Sequence, residues 1–554
     1  MSRGGNTDDM GCDPILPAER VEEMAARGLW SDRLITDYLD ELVERHPKRL
    51  ALVAANSTTG DSMRLTYGAL GRLVDRLAVG LAGLGVGPGD VVSMQLPNWW
   101  QFTVLHLACV RLGAVTNPLM PIFREREIAF MLGLAESKVV VVPGTFRGFD
   151  HVAMMRKLRP DLPNLEHVLV VGGEGEESFE AVLAAPPGDD RRHGAGLVAG
   201  RRPGANDVTL LLYTSGTTGE PKGAMHTSNT LISTITAYVE HLGLDGDDAV
   251  FMGAPFAHQI GFTHGVLMPI YLATKAVILD VWDADAAARL IGAEGCTFTK
   301  GPAPYLFDLI EAVAGKAHDL SSLRIMVAGG SPIPRALVPR ARDVLGASIC
   351  AVFGTTESNA TTMTRPGDAD EKAFGTDGTA LRGMEARILN DQGGAVQSGA
   401  DGHLWVRGCG NFVGYLKRPD LYNVDQEGWF ETGDLACMDE DGYIRITGRS
   451  KDIIIRGGEN IPVVEVENLL YQHPAVKEVA IVAMPDDRLG EKACGFVTLR
   501  PGQRLTFDAM IAFLEEKRMA RQYLPEHLEV IDRMPLTPSG KIQKFKLRQM
   551  AAAL

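Results

Sequence analysis

Ten residues, TSGTTGEPKG at 214–223, combine glycines, hydroxyls and a lysine as a phosphate-binding loop would. Gly216 and Gly219 free the backbone so that successive N–H groups can close around phosphate oxygens; Thr214, Ser215, Thr217 and Thr218 add hydroxyl donors, and Lys222 adds positive charge. The stretch is not the G-x-x-x-x-G-K-[ST] loop. Read from Gly216, Pro221 stands where a glycine would precede the lysine, and Gly223 follows Lys222 where a magnesium-binding hydroxyl is required. It follows directly on the apolar run VTLLLY (208–213), so the loop leaves the end of a buried strand, where open α/β sheets place ligands. A surface turn of small residues is the bland alternative, and a string this long and specific argues against it.

Other candidate stretches are less telling alone. TTE (355–357) reads as a helix N-cap with an acidic first turn, ETGD (431–434) as a Gly-Asp turn, and Arg449 as a solvated linker charge. Lys541 reads as an exposed lysine near the C-terminus, and an isolated histidine such as His258 is usually structural. No H-E-x-x-H or comparable metal spacing occurs.

The totals narrow the functional classes. A formal charge of −15 over 554 residues, without a dense Lys/Arg block, argues against a nucleic-acid partner, because duplex binding needs a basic footprint. A small-molecule substrate is the better expectation. The 7 cysteines are far apart, without a C-x-x-C pair and odd in number, which disfavours zinc and a disulfide framework and points to a reducing, cytoplasmic compartment. MSRGGNTDDMGCD has no apolar core of a signal peptide, and no run reaches ~18 apolar residues, so no transmembrane segment is expected. Peripheral membrane contact and homo-oligomerisation stay open.

The elements that must position these residues follow from hydrophobic patterning. From about 65 to 365, β-branched runs alternate with amphipathic stretches, the pattern of parallel sheets covered by helices. Strands are expected at 90–96, 137–144, 167–173, 208–215, 275–281, 323–330 and 348–354, and a helix at 66–85. Between 366 and 448, short strands such as GHLWVRG (402–408) and YIRITG (443–448) separated by Gly/Asp turns suggest a small antiparallel barrel. From about 450 strand, helix and strand return, enough for one further compact α/β domain, with RSKD (449–452) as connector.

Six stretches in order, YTSGTTGEPKG (213–223), PFAHQIGF (255–262), VFGTTE (352–357), GWFETGD (428–434), GRSKDIIIRGGENIP (448–462) and PLTPSGKIQK (535–544), resemble the adenylate-forming superfamily of acyl- and aryl-CoA synthetases. The resemblance covers nearly the whole chain. One departure is Ser228, where many members carry histidine, beyond the phosphate contacts. The resemblance implies an α/β fold. An AMP-binding domain spans 1–449, with α/β subdomains at about 35–365 in two parallel-type sheets and a β-barrel subdomain at 366–449. A small mobile α+β domain at 450–554 carries the catalytic lysine.

It also implies ATP cleavage between the α- and β-phosphates, with Mg²⁺ and coenzyme A. Joining a carboxylate to an α-phosphate brings two anions together, so cations and donors must stabilise the transition state. By resemblance Glu357 holds Mg²⁺ on the phosphates, Thr356 contacts the nucleotide, Asp434 accepts from the ribose hydroxyls and Arg449 bonds ribose or phosphate oxygens. Lys541 bridges the acid's carboxylate and the α-phosphate, then withdraws with its domain about a hinge at Lys451 so that a thiol can enter. Gly457 and Gly458 flank the pantetheine channel, and His258 matches the gate between that channel and the acyl pocket.

No acidic residue lies between Asp248 and Asp280, a stretch that walls the acyl pocket in the family, so an α-amino acid, whose ammonium needs a partner, is disfavoured. Phe256, Ile260, Gly261 and Phe262, with Gly329 and Gly330 in AGGSPIP, suggest an apolar pocket for an uncharged aliphatic or alicyclic tail. Finer likeness is to short- and medium-chain and cyclohexanecarboxylate-type acyl-CoA ligases. Two alternatives stay open: an acyl-AMP ligase that loads a phosphopantetheinyl carrier protein, and a noncatalytic acyl or nucleotide sensor.

Overall fold

The computed structural model describes residues 11–184, 198, 200–214, 221–314, 316, 318–330, 333, 337–456, 459–486, 488–519, 521–537 and 540–554. The phosphate-loop residues Ser215, Gly216, Thr217, Thr218 and Gly219, and the channel glycines Gly457 and Gly458, lie outside them.

Short β-branched runs become strands because they are buried on both faces, as a parallel sheet requires. In Val139–Pro143, VVVVP, every residue is buried. Among the described residues, one sheet runs in the order 222–227, 208–214, 115–118, 91–94, 139–143, 167–171. All its pairings are parallel except the edge pair Val208–Thr214 with Lys222–Thr227, which register sets Lys222 opposite Thr214. A second sheet has the order 379–380, 359–363, 348–355, 325–329, 298–301, 250–252, 276–279, 50–55, 62–66. Its interior pairings are parallel and its outer ones antiparallel.

Helices pack on these sheets through the predicted apolar stripes. Tyr67–Gly83 starts where the Thr66 side chain accepts from the Ala69 N–H, and buries Leu70, Val74, Leu77, Ala78 and Leu81. Ser228–Leu242 is capped by Thr227, which accepts from the Thr230 N–H, and stops at Gly243, whose left-handed φ of 63° closes the helix.

Two findings differ from the sequence expectation. Leu50–Ala55 and Ser62–Thr66 extend the second sheet upstream of residue 65, Leu50–Ala55 pairing with Ala276–Leu279 more than 220 residues away. No local period reports such a partner. The expected barrel is observed as a four-stranded antiparallel meander, Met384–Leu389, Gly402–Gly408, Phe430–Met438 and Ile444–Arg449. Gly402–Gly408 buries alternate residues, as in a sheet with one face on a core and the other partly exposed.

The C-terminal segment forms its own sheet and core. Val476–Asp486 pairs antiparallel with Gly490–Leu499, on which His527–Val530 adds parallel. Helix Val463–Leu470 covers it with Val463, Val466 and Leu470, and the buried Glu467 accepts from the Ile481 N–H at 2.7 Å and pairs with Lys544 at 2.6 Å. The Arg500 guanidinium stacks 5.2 Å from the Phe307 ring of the large body. A large α/β domain of sheets and helices is thus followed by a smaller α+β unit, the fold class expected from the sequence. Among the described residues no helix is long and apolar enough to cross a membrane.

Candidate active site

Parallel strands end together, and the site grows from those ends. Ser348–Thr355 turns at Thr356–Ser358 into Asn359–Met363, so TTE begins a strand-to-strand turn and not a helix. Asn359 takes φ 56° there, and its side-chain amide donates to the Gly410 carbonyl at 2.7 Å, which holds the reversal in place. The Thr356 carbonyl accepts from His226 Nε2 at 2.7 Å, while Nδ1 lies 3.2 Å from Thr230 Oγ1. Burial pushes His226 down to about 4, so it stays neutral and acts as a positioning donor.

Glu357 is anchored at both ends. Its carbonyl accepts from the Phe412 N–H at 2.7 Å and its carboxylate accepts from the Tyr415 hydroxyl at 2.7 Å. Burial, with the Glu357 charge adding to it, pushes the Tyr415 phenol far up, so it remains a donor. The Lys222 ammonium lies 5.0 Å from the centroid of the same ring. Thr214, Lys222, Tyr415 and Glu357 thus follow one another along one rim, with Thr214 opposite Lys222 in register.

Asp434 and Arg449 face each other across the meander in direct register. Arg449 Nε donates to Asp434 Oδ1 at 2.8 Å, and Thr432 Oγ1 accepts from the Asp434 N–H at 3.1 Å. Burial raises the Asp434 carboxyl despite the lowering effect of Arg449 and Lys541; Arg449 in turn is held up chiefly by Asp434. Asp434 is 3% exposed and its Oδ2 has no hydrogen-bond partner among the described residues. A buried acceptor of this kind calls for an external donor, and a sugar hydroxyl fits it.

Lys541 comes from the far end of the chain on a tight loop. Its N–H donates to Thr537 Oγ1 at 2.9 Å, its carbonyl accepts from the Thr537 N–H at 2.6 Å, and Gly540 takes the φ of +84° that the turn requires. Burial lowers its ammonium to about 8; Arg449 lowers it further, whereas Asp434 and Glu357 oppose the shift. Three charged groups from two strands and a turn therefore act on one lysine. At Gly330, φ +80°, an added Cβ would lie 3.0 Å from Ile260 Cδ1 and 3.8 Å from Lys541 Cε, so Ile260, Gly330 and Lys541 converge.

His258 precedes Gln259–Gly261 and the π-turn Phe262–Leu267, its Nδ1 accepting from the Ile260 N–H at 3.2 Å. Burial first, then the charges of Lys541 and Lys300, press it down to about 3, so it is neutral. Phe256 and Phe262 are fully buried and pack edge-on against Phe102 at 5.2 and 6.3 Å, in the same core cluster as Ile260. Gly261 and Gly329 face protein and not open space: an added Cβ would come within 2.2 Å of the Pro255 carbonyl and 2.4 Å of Val352 Cγ1. Lys451 lies in the turn Ser450–Asp452 that follows strand Ile444–Arg449, where the Ser450 hydroxyl donates to the Gly433 carbonyl at 3.1 Å.

Tyr415 and His226 were missed in the sequence, since neither lies within a spacing that ties it to Glu357 or Thr356. Among the described residues no group of three or more His, Cys, Asp or Glu could hold a metal by itself. Glu357 alone on its rim suits Mg²⁺, which binds through one or two carboxylates together with substrate phosphates.

A family model described as AMP-binding enzyme matches residues 39–416, and one described as AMP-binding enzyme C-terminal domain matches 465–541. A medium-chain fatty-acid–CoA ligase of Escherichia coli (strain K12) is 36% identical over 94% of this chain and 91% of its own length. A salicylyl-CoA synthase / salicylate adenylyltransferase of Streptomyces sp is 33% identical over 96% of each. The crystal structure of an anthranilate CoA ligase in complex with anthranoyl-AMP superposes with a TM-score of 0.85 at 26% identity, covering 95% of this chain and 99% of that one.

Proposed function

The chain belongs to the AMP-binding enzyme family of AMP-forming acid–thiol ligases, and on that premise we propose that it joins a carboxylic acid to coenzyme A by way of an acyl-adenylate. The acid's aliphatic or alicyclic body of short to medium length lies against the walls around Ile260 and Gly330. The observation that carries the reading is the convergence of Lys541 with Asp434, Arg449 and Glu357. In the first half-reaction the acid's carboxylate oxygen attacks the α-phosphorus of ATP and pyrophosphate leaves. Asp434 takes the ribose hydroxyls, one of them on its unpartnered Oδ2, Arg449 and Lys222 meet oxygens of ribose and phosphate, and Lys541 offsets charge on the carboxylate and α-phosphate. Glu357 would hold Mg²⁺, which would supply charge neutralisation on the departing phosphates. In the second half-reaction the thiolate sulfur attacks the acyl carbon and AMP leaves, after Lys541 has withdrawn.

The test is isotope exchange between pyrophosphate and ATP without CoA: exchange that depends on the acid is expected, and exchange indifferent to every acid tried would overturn the reading. Following product formation with CoA and with a phosphopantetheinyl carrier protein then distinguishes the acceptor.

Two further results are expected. Lys541 must be charged to act and its free-enzyme value is about 8, so kcat/KM for adenylation should fall as pH rises through that value. Bound triphosphate adds negative charge, so the fall in kcat should come at higher pH. Lys541→Arg, which does not deprotonate in this range, should remove the fall. A flat wild-type profile from pH 7 to about 9.5 would rule out this role. Lys451→Pro, by fixing φ near −65° in the turn Ser450–Asp452, should slow thioester formation on the order of 10²-fold while sparing adenylation. Single-turnover kinetics of each half-reaction check this, and equal losses in both would refute a hinge at Lys451.

A further inference from the structure

Strand Phe298–Gly301 carries a lysine where a sheet interior normally carries an aliphatic side chain. Lys300 is 6% exposed, on the same face as the fully buried Phe298. No carboxylate meets it among the described residues. Its Nζ lies 3.4 Å from His264 Nε2 and 4.7 Å from the centroid of the Tyr238 ring. His264 Nδ1 sits 3.0 Å from the Ile260 carbonyl, which only a donor can use, so Nε2 is the acceptor and His264 adds no negative charge. The buried Tyr238 hydroxyl has no hydrogen-bond partner among the described residues. A buried ammonium held by one neutral imidazole and one aromatic face keeps a charge and a donor unspent, which is costly unless something answers them.

The position ties the cluster to the acid. The charges of Lys541 and Lys300 both act on His258, so the two lysines border on the same residue. The Ile260 backbone binds His264, while its side chain meets Gly330 beside Lys541. Lys300 is thus tied through His264 to the Ile260 segment, whose side chain meets Gly330 beside the lysine that handles the reacting carboxylate.

Resting on the ligase reading above, we infer that Lys300, backed by His264 and Tyr238, is a specificity-determining residue for a second carboxylate on the acid, so that the substrates are dicarboxylic acids activated at one end. Burial holds the Lys300 ammonium down to about 7, and an incoming carboxylate would restore its charge. An uncharged tail was expected from the apolar lining and from the absence in residues 249–279 of any acid that could hold an ammonium. That argument tested for one sign of charge only, and the next strand supplies the other.

The experiment compares straight-chain diacids from succinate to suberate with the monoacids of equal length, reading acid-dependent pyrophosphate release as kcat/KM. The wild-type protein should favour at least one diacid over its monoacid by about tenfold or more, and Lys300→Met should lower that ratio on the order of 10²-fold. Lys300→Arg, which keeps the charge, should keep the preference. Turnover of monoacids with no diacid favoured, or a ratio unchanged by Lys300→Met, overturns the inference and leaves the ligase reading standing. Should Lys300→Met fail to fold, the wild-type ratio alone decides. Failure of every acid to release pyrophosphate overturns the ligase reading, and this inference with it.

Discussion

Lys541→Ala is expected to slow acid adenylation by about 10²–10³-fold, some 3–4 kcal/mol of transition-state stabilisation, while largely sparing the thioester step with supplied acyl-AMP. The charge on Lys541 arrives on a tight loop, closed by the Thr537 contacts, among Arg449, Asp434 and Glu357. Its contribution is therefore preorganised, and it acts where a carboxylate and an α-phosphate are forced together. In the second half-reaction no new anion pair forms at that point, and the lysine must clear the path of the thiol. The split between half-reactions separates this role from a structural one, because damage to the C-terminal core would impair both. Single-turnover rates with acid plus ATP, and with acyl-AMP plus CoA, decide the matter; comparable losses in the two would refute the assignment.

Asp434→Ala should act differently, by weakening every nucleotide-bound state. Two hydrogen bonds from ribose hydroxyls to an ionised acceptor, at about 1.5–3 kcal/mol each, translate into a KM for ATP raised about 10²–10⁴-fold. The truncation also leaves Arg449 without the carboxylate it donates to. Because the same ribose is present in acyl-AMP, both half-reactions should suffer, unlike the Lys541 case. Asp434→Asn keeps one acceptor oxygen and a neutral side chain of nearly the same shape, and should lie between the alanine variant and the wild type. Titration of initial rate against ATP for the three proteins is sufficient, and an unchanged KM in Asp434→Ala would show that Oδ2 is satisfied in some other way.

Much of this was legible in one dimension. The order of the strands at 91–94, 139–143, 167–171 and 325–329 follows from β-branched runs, and their parallel class from burial on both faces. The phosphate loop, Glu357, Asp434, Arg449 and Lys541 stand in local strings whose types and intervals repeat across the superfamily that the chain resembles. Local strings survive in a sequence because the backbone shapes they encode, a turn or a strand end, need only neighbouring residues.

Whatever depends on residues far apart in the chain was settled by folding alone. Tyr415 meets Glu357 across 58 positions and His226 meets Thr356 across 130, and neither separation has a period that could announce it. TTE looked like a helix start because Thr and Glu favour one, yet pairing with Asn359–Met363 made it a turn. Gly261 and Gly329 stood among the residues suggesting an apolar acyl pocket, and folding sets them against the Pro255 backbone and Val352, where a Cβ would not fit. Nothing in the sequence singled out Lys300; the sheet places it beside a histidine and a tyrosine, with no carboxylate against it among the described residues. Composition and spacing determine which groups a site can draw on; packing determines which way each side chain points and what it must face, because direction and desolvation are properties of neighbours in space.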